Sequence, residues 1–240
     1  MTNKAIENAI EIVTSFFDTR FPVDVDIICK ELGIRIFDSR ALDKDGYLIC
    51  QSGKKIIMIN SQIINRHRKK FIIAHELGHF LLHREQLYSC GHISETQGLE
   101  VNNQNQESEA NAFATELLIP FYELRNIMPN RTIQFSDVFQ VASLFDVSIT
   151  HAAMQAILAS NSESEVLICY EHQKRKWYLS ANKYTYNRMI PFQCPVDLSA
   201  VNGPRDIIGA WTELYCGAVH QEVFSPYSGQ YLVLLSGNRK

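Results

Sequence analysis

The sequence predicts an α+β fold in three parts. These are a small domain pairing an antiparallel sheet with a histidine-bearing helix (residues 1–125), a helical, helix-turn-helix-like segment (126–160) and a β-rich C-terminal domain (161–240). Three observations lead there. Apolar residues recur at helical spacing through most of the first 160 positions, interrupted by a strand-turn-strand pattern near residue 50. The apolar helical run 71–82 carries His75-Glu76-Leu77-Gly78-His79. Beyond the polar stretch Ser160-Asn-Ser-Glu-Ser-Glu165 the pattern turns to short strands separated by turn residues.

Taken in order, residues 4–17 make an amphipathic helix with Ile6, Ala9, Ile10 and Val13 on one face. Glu7 and Glu11 within it exclude the uninterrupted apolar core of a signal peptide. A short helix, 25–32, ends at Gly33, and 34–37 is a strand. Residues 47–50 and 55–60 form a hairpin across Gln51-Ser-Gly-Lys54, with 55–60 as an exposed edge to which an extended peptide could add. A helix over 61–84 follows, its first half carrying Arg66-His67-Arg68-Lys69-Lys70, a solvated basic face or a contact for an acidic partner. The polar segment 86–106 exceeds the roughly 15 residues usual for a connection and suits a rim or lid. A second helix, 106–119, stops at Pro120. In 136–158 one helix ends near Phe145, Asp146-Val147-Ser148 turns, and 149–158 is another helix. The C-terminal part offers strands at 166–170 and 176–180 around Gln173-Lys-Arg175, an irregular stretch 184–205, and strands at 207–216, 218–224 and 230–235 with turns at Gly217 and Pro226-Tyr-Ser-Gly229.

His75 and His79, four apart on a helix, point the same way one turn from each other, so both imidazoles can hold one metal ion. Glu76 then lies beside the open coordination position and can take a proton from an activated water. At about 100° per residue, His75, His79, His83 and Glu76 share one sector about 100° wide, and apolar residues fill the rest of the circumference. A helix apolar on all other sides is buried, and its polar groups need partners.

A catalytic zinc usually has three protein ligands. His83 is too far along the axis, about 12 Å from His75, to share one ion on an unbroken helix. The alternative is a carboxylate on 106–119, whose apolar face is Ala110, Phe113, Ala114, Leu117 and Leu118. Glu107 lies about 60° from the centre of that face and Glu109 about 100°. Glu107 is therefore the first candidate and Glu109 the second, with Asn111 placed to orient a ligand histidine.

Phe71-Ile-Ile-Ala-His-Glu-Leu-Gly-His-Phe-Leu-Leu-His83 with Glu107-Ser-Glu-Ala-Asn-Ala-Phe-Ala-Thr-Glu-Leu-Leu-Ile-Pro120, preceded by Ile56-Ile-Met-Ile-Asn60, resembles the ImmA/IrrE family of zinc metallopeptidases, over roughly residues 5–160. The resemblance implies a gluzincin-like metallopeptidase domain with His75, His79 and Glu107 on Zn2+ and Glu76 as the base. It also implies regulation. Family members cleave a repressor or trigger its loss, often in mobile elements or stress responses, and some pair with a neighbouring antitoxin-like partner.

Composition bounds the remainder. The chain is 46% hydrophobic with a net charge of −3, which gives no drive toward nucleic acid or acidic membranes. Residues 136–158 contain no Lys or Arg, against DNA contact. No run approaches a membrane span. The six cysteines are scattered with no C-x-x-C pair, which fits free thiols and a cytoplasmic protein. The leading expectation is a zinc endopeptidase acting on a repressor-like or antitoxin-like protein encoded nearby. The alternative is a non-catalytic zinc-binding regulator or toxin-system component that acts by partner binding.

Overall fold

Polar caps and one tight turn lay out the first half of the chain in the computed structural model, which describes residues 4–17, 21–83, 104–160, 164–180, 190–198, 204–208, 211 and 214–239. Helix α1 (Lys4–Phe17) buries Ile6, Ala9 and Val13. Asp24 caps α2 (Val25–Glu31) by accepting from the N–H groups of Asp26 and Ile27. Gly33, at φ +69°, then turns the chain into β1 (Arg35–Ser39). Strands β2 (Gly46–Gln51) and β3 (Lys54–Asn60) pair across a turn in which Ser52 and Gly53 both have positive φ.

The sheet is mixed rather than antiparallel throughout. Its order is β1-β3-β2, with β1 parallel and β2 antiparallel to β3. The tight turn commits β2 to one side of β3, and β1 takes the other side, so residues 55–60 are central and, among the described residues, the edges are β1 and β2. The expected edge at 55–60 is thereby corrected. Ile57 and Ile59 of this central strand are buried.

Helix α3 (Arg66–Leu82) begins at Arg66 rather than at 61. The Asn60 side chain accepts from the N–H of Gln62, and the N–H of Ser61 bonds to Ser39, which keeps the chain in a turn until Asn65 caps the helix. Part of the basic run closes onto the sheet side: Arg68 meets Asp45 at 2.6 Å and Lys69 meets Asp38 at 3.0 Å. Such solvent-facing pairs contribute at most about 1 kcal/mol each. Helix α4 (Gln104–Leu118) buries Ala110, Phe113, Ala114, Leu117 and Leu118. Where α3 crosses it, a Cβ on Gly78 would stand 3.1 Å from both Ala110 Cα and Phe113 Cδ1, so the missing side chain sets the helix spacing. Most of the expected rim, with Cys90 and His92, lies outside the described residues.

Two units, residues 1–120 and 121–240, divide the chain. The second contains α5 (Phe121–Ile127), α6 (Phe135–Phe145) and α7 (Ile149–Ala159). Helices α6 and α7 are bent by 112° across 146–148, where Asp146 is left-handed and Ser148 caps α7. An antiparallel sheet follows, in the order β5-β4-β8-β7-β6: β4 (Val166–Glu171), β5 (Lys174–Ser180), β6 (Arg205–Ile208), β7 (Tyr215–Tyr227) and β8 (Gln230–Arg239). Ile168, Tyr170, Trp211, Tyr215, Val233 and Leu235 form its core. Instead of turning at Gly217, the chain runs through it in β7, and just ahead of that strand Leu214 and Tyr215 donate to the Trp211 carbonyl. Gly217 falls at a register shift within the long β7.

Among the described residues of this unit two carboxylates are buried, Glu165 and Glu222. Glu165 accepts from the N–H of Ile133 at 3.0 Å and from the Ser160 hydroxyl. Glu222 accepts from the N–H of Phe135 at 2.7 Å. The polar stretch 160–165 thus ends in a buried anchor. Among the described residues, no single helix is long and apolar enough to cross a membrane. Cys29, Cys50, Cys169, Cys194 and Cys216 are free thiols.

Candidate metal centre

Helix α3 presents His75 and His79 on one side, and the close approach of α4 at Gly78 brings Glu107 to them. His75 Nε2 lies 3.0 Å from His79 Nε2, 3.2 Å from Glu107 Oε2, and His79 Nε2 lies 3.3 Å from Glu107 Oε1. A tetrahedral zinc with bonds of about 2.0–2.1 Å separates its donors by about 3.3 Å. Two imidazole nitrogens and a carboxylate converging at that separation fit a divalent cation. Both histidine side chains are mostly buried, at 16% and 17% exposure, while that of Glu107 is 59% exposed and forms the open side. Among the described residues this is the one group of three or more such side chains able to hold a metal together.

The outer nitrogens of both histidines are occupied. Asn111 Oδ1 lies 3.0 Å from His75 Nδ1, so a hydrogen on Nδ1 leaves the Nε2 lone pair free for the centre. His79 Nδ1 lies 3.2 Å from His83 Nδ1. Burial first, and then the charge of His75, hold His79 well below the usual imidazole range, at about 4, so it is neutral at neutral pH, as a metal ligand must be. Glu109 does not join the three donors; it meets His83 Nε2 at 3.0 Å.

Glu76 is buried, one residue beyond His75. Desolvation, and next the charge of Glu107, push its carboxyl up to about 7, against a hydrogen bond from the Leu48 backbone and the more distant charge of Lys44. The position of Leu48 explains that bond. The N–H of Asn60 bonds to the carbonyl of Asp45, so in the alternating antiparallel pattern Asp45, Tyr47 and Ile49 bond toward β3, while Gly46, Leu48 and Cys50 turn their backbone groups to the outer side of β2. That outer side meets the candidate base through the Leu48 N–H. Gly46 makes the approach possible: a Cβ there would lie 2.5 Å from Ile72 Cγ2 and 3.2 Å from Glu76 Oε1.

Sequence reasoning passed over Gly46, Leu48 and Gly78. Leu48 acts through its backbone, for which no side-chain signal exists. The glycines were visible as letters, and glycine ahead of a strand or inside a helix marks a place where backbones come close.

Residues 29–156 match a peptidase family described as the IrrE N-terminal-like domain. No curated protein matches the chain. Among solved structures, a Mycobacterium tuberculosis transcriptional regulator is similar with a TM-score of 0.59 and 13% identity, over 97% of this chain and 76% of that one. At that identity the likeness concerns the fold alone.

Proposed function

The chain belongs to the ImmA/IrrE family, whose IrrE N-terminal-like domain covers residues 29–156, and on that premise we propose that it is a zinc-dependent endopeptidase that cuts a specific regulatory protein, repressor-like or antitoxin-like, in the cytoplasm. The observation that carries this reading is a buried carboxyl, Glu76, set beside a three-donor cluster of zinc dimensions and bonded to the backbone of β2. His75, His79 and Glu107 would hold the zinc. When bound, zinc polarises the scissile carbonyl and acidifies water.

The protein's own groups do the remaining work. Asn111 keeps the His75 ring turned with its lone pair inward. The Leu48 N–H holds the Glu76 carboxylate on the β2 side of the cluster, from where it takes a proton from water and returns it to the leaving nitrogen. Burial raises the affinity of the Glu76 carboxylate for the proton it takes up. The outer side of β2, next to Glu76, suits an extended segment of chain better than a folded surface, and a flexible stretch is the substrate this reading expects.

Co-expression with the product of the adjacent reading frame, followed by mass spectrometry, tests the proposal. Fragments are expected with the wild-type protein. Glu76→Gln should keep its zinc and cut about 10²- to 10⁴-fold more slowly. Undiminished cutting by Glu76→Gln would sink the mechanism. Inactivation of the partner without fragments, persisting in Glu76→Gln, would mark a regulator that acts by binding.

A further inference from the structure

His83 and Glu109 stand outside the metal cluster, yet they continue it. His83 is buried, at 7% exposure, and follows α3 as its C-cap, where the backbone leaves the helix at φ −117° and ψ 18°. Its ring turns back so that Nδ1 faces Nδ1 of His79 at 3.2 Å, and its Nε2 faces Glu109 Oε2 at 3.0 Å. One condition fixes every hydrogen in this row. If His79 Nε2 offers its lone pair to a metal, its hydrogen sits on Nδ1. His83 Nδ1 must then accept, so the hydrogen of His83 sits on Nε2 and points at the Glu109 carboxylate, which only accepts. The row has a direction and ends on a negative charge.

We propose that His83 and Glu109 are positioning residues for the metal site, a histidine-carboxylate relay that holds His79 in its metal-binding tautomer and strengthens it as a donor. His75 has a single neutral acceptor, Asn111. His79 has a charged one, reached through a second imidazole that polarises along the row. The two ligand histidines are therefore unequal, and the tighter hold on His79 comes from residues that never touch the ion. The inference rests on the zinc reading above, but not on peptide cleavage.

The test is zinc affinity, measured by competition with a chromophoric chelator on the full chain, together with the ¹⁵N shifts of His79. In His83→Phe, which keeps an aromatic ring and removes the acceptor, the zinc dissociation constant should rise about 10- to 100-fold and the His79 tautomers should mix. Glu109→Gln, at a partly exposed position, retains an acceptor without the charge. It should weaken zinc several-fold, and this variant carries the test if His83→Phe fails to fold. In the double variant, the Glu109 change should add nothing to His83→Phe, because a broken row transmits nothing. If both single variants fold and bind zinc within twofold of wild type with His79 unchanged, the relay is refuted, and His83 serves packing alone. Failure of the wild type itself to bind zinc would overturn the metal reading and the relay with it. Zinc binding and the relay effect without any cleavage would overturn only the peptidase reading.

Discussion

Asn111 sits on an exposed face of α4, where alanine would be at least as good a helix former, so its contact with His75 can be removed without harming the fold. Asn111→Ala should leave the melting temperature within a degree or two and weaken zinc about tenfold or more, as read by chelator competition. Zinc binding untouched by this change would mean that the His75 tautomer is set by something else. Removing the metal with a strong chelator should abolish cleavage, and added zinc should restore it. At this scale the histidines and Glu107 were legible because helical spacing converts sequence separation into direction. The partners of Glu76 were not, because a backbone N–H is common to almost every residue and leaves no mark in the letters.

Between elements, the α3–α4 crossing decides whether Glu107 reaches the histidines. Gly78→Ala gains up to about 1 kcal/mol in helix propensity. Its methyl group, however, would press within about 3 Å of backbone atoms of Ala110, which no rotamer change relieves, and overpacking costs about 1–3 kcal/mol. The net should be a lower unfolding midpoint in urea and weaker zinc binding, since α4 carries Glu107. A variant as stable as wild type with full zinc affinity would show that the crossing has slack. Element order and most helices were readable from apolar period, but pairing was not. The letters of 54–60 show an apolar strand without saying which side its neighbours occupy, and only the topology puts β1 beside it. Likewise Gly217 is a turn residue by composition. The buried Trp211, whose Nε1–H donates to Gln221 at 2.9 Å, anchors a corner just ahead of β7 and leaves Gly217 to a bulge.

For the whole molecule, acid sensitivity should have a component that belongs to the second unit. Desolvation holds His151, on α7, at about 4, below its ordinary value near 6.5. The unfolded chain therefore binds this proton more readily than the folded one. The stability it protects is complete above about pH 6.5 and is lost as pH falls toward 4, by about 2–3 kcal/mol at pH 4.5. Urea midpoints at pH 7 and 4.5 should differ less in His151→Leu than in the wild type, and equal differences would exclude the assignment. The same unit is bound together by Glu165 and Glu222, whose buried oxygens take the N–H groups of Ile133 and Phe135 at the start of α6. Each orphaned N–H costs about 1–3 kcal/mol. A fragment ending at residue 160 would leave both without acceptors. The helical pair is consequently not a portable cassette: recombination or proteolysis that parts it from the sheet removes the acceptors on which its own first turn depends.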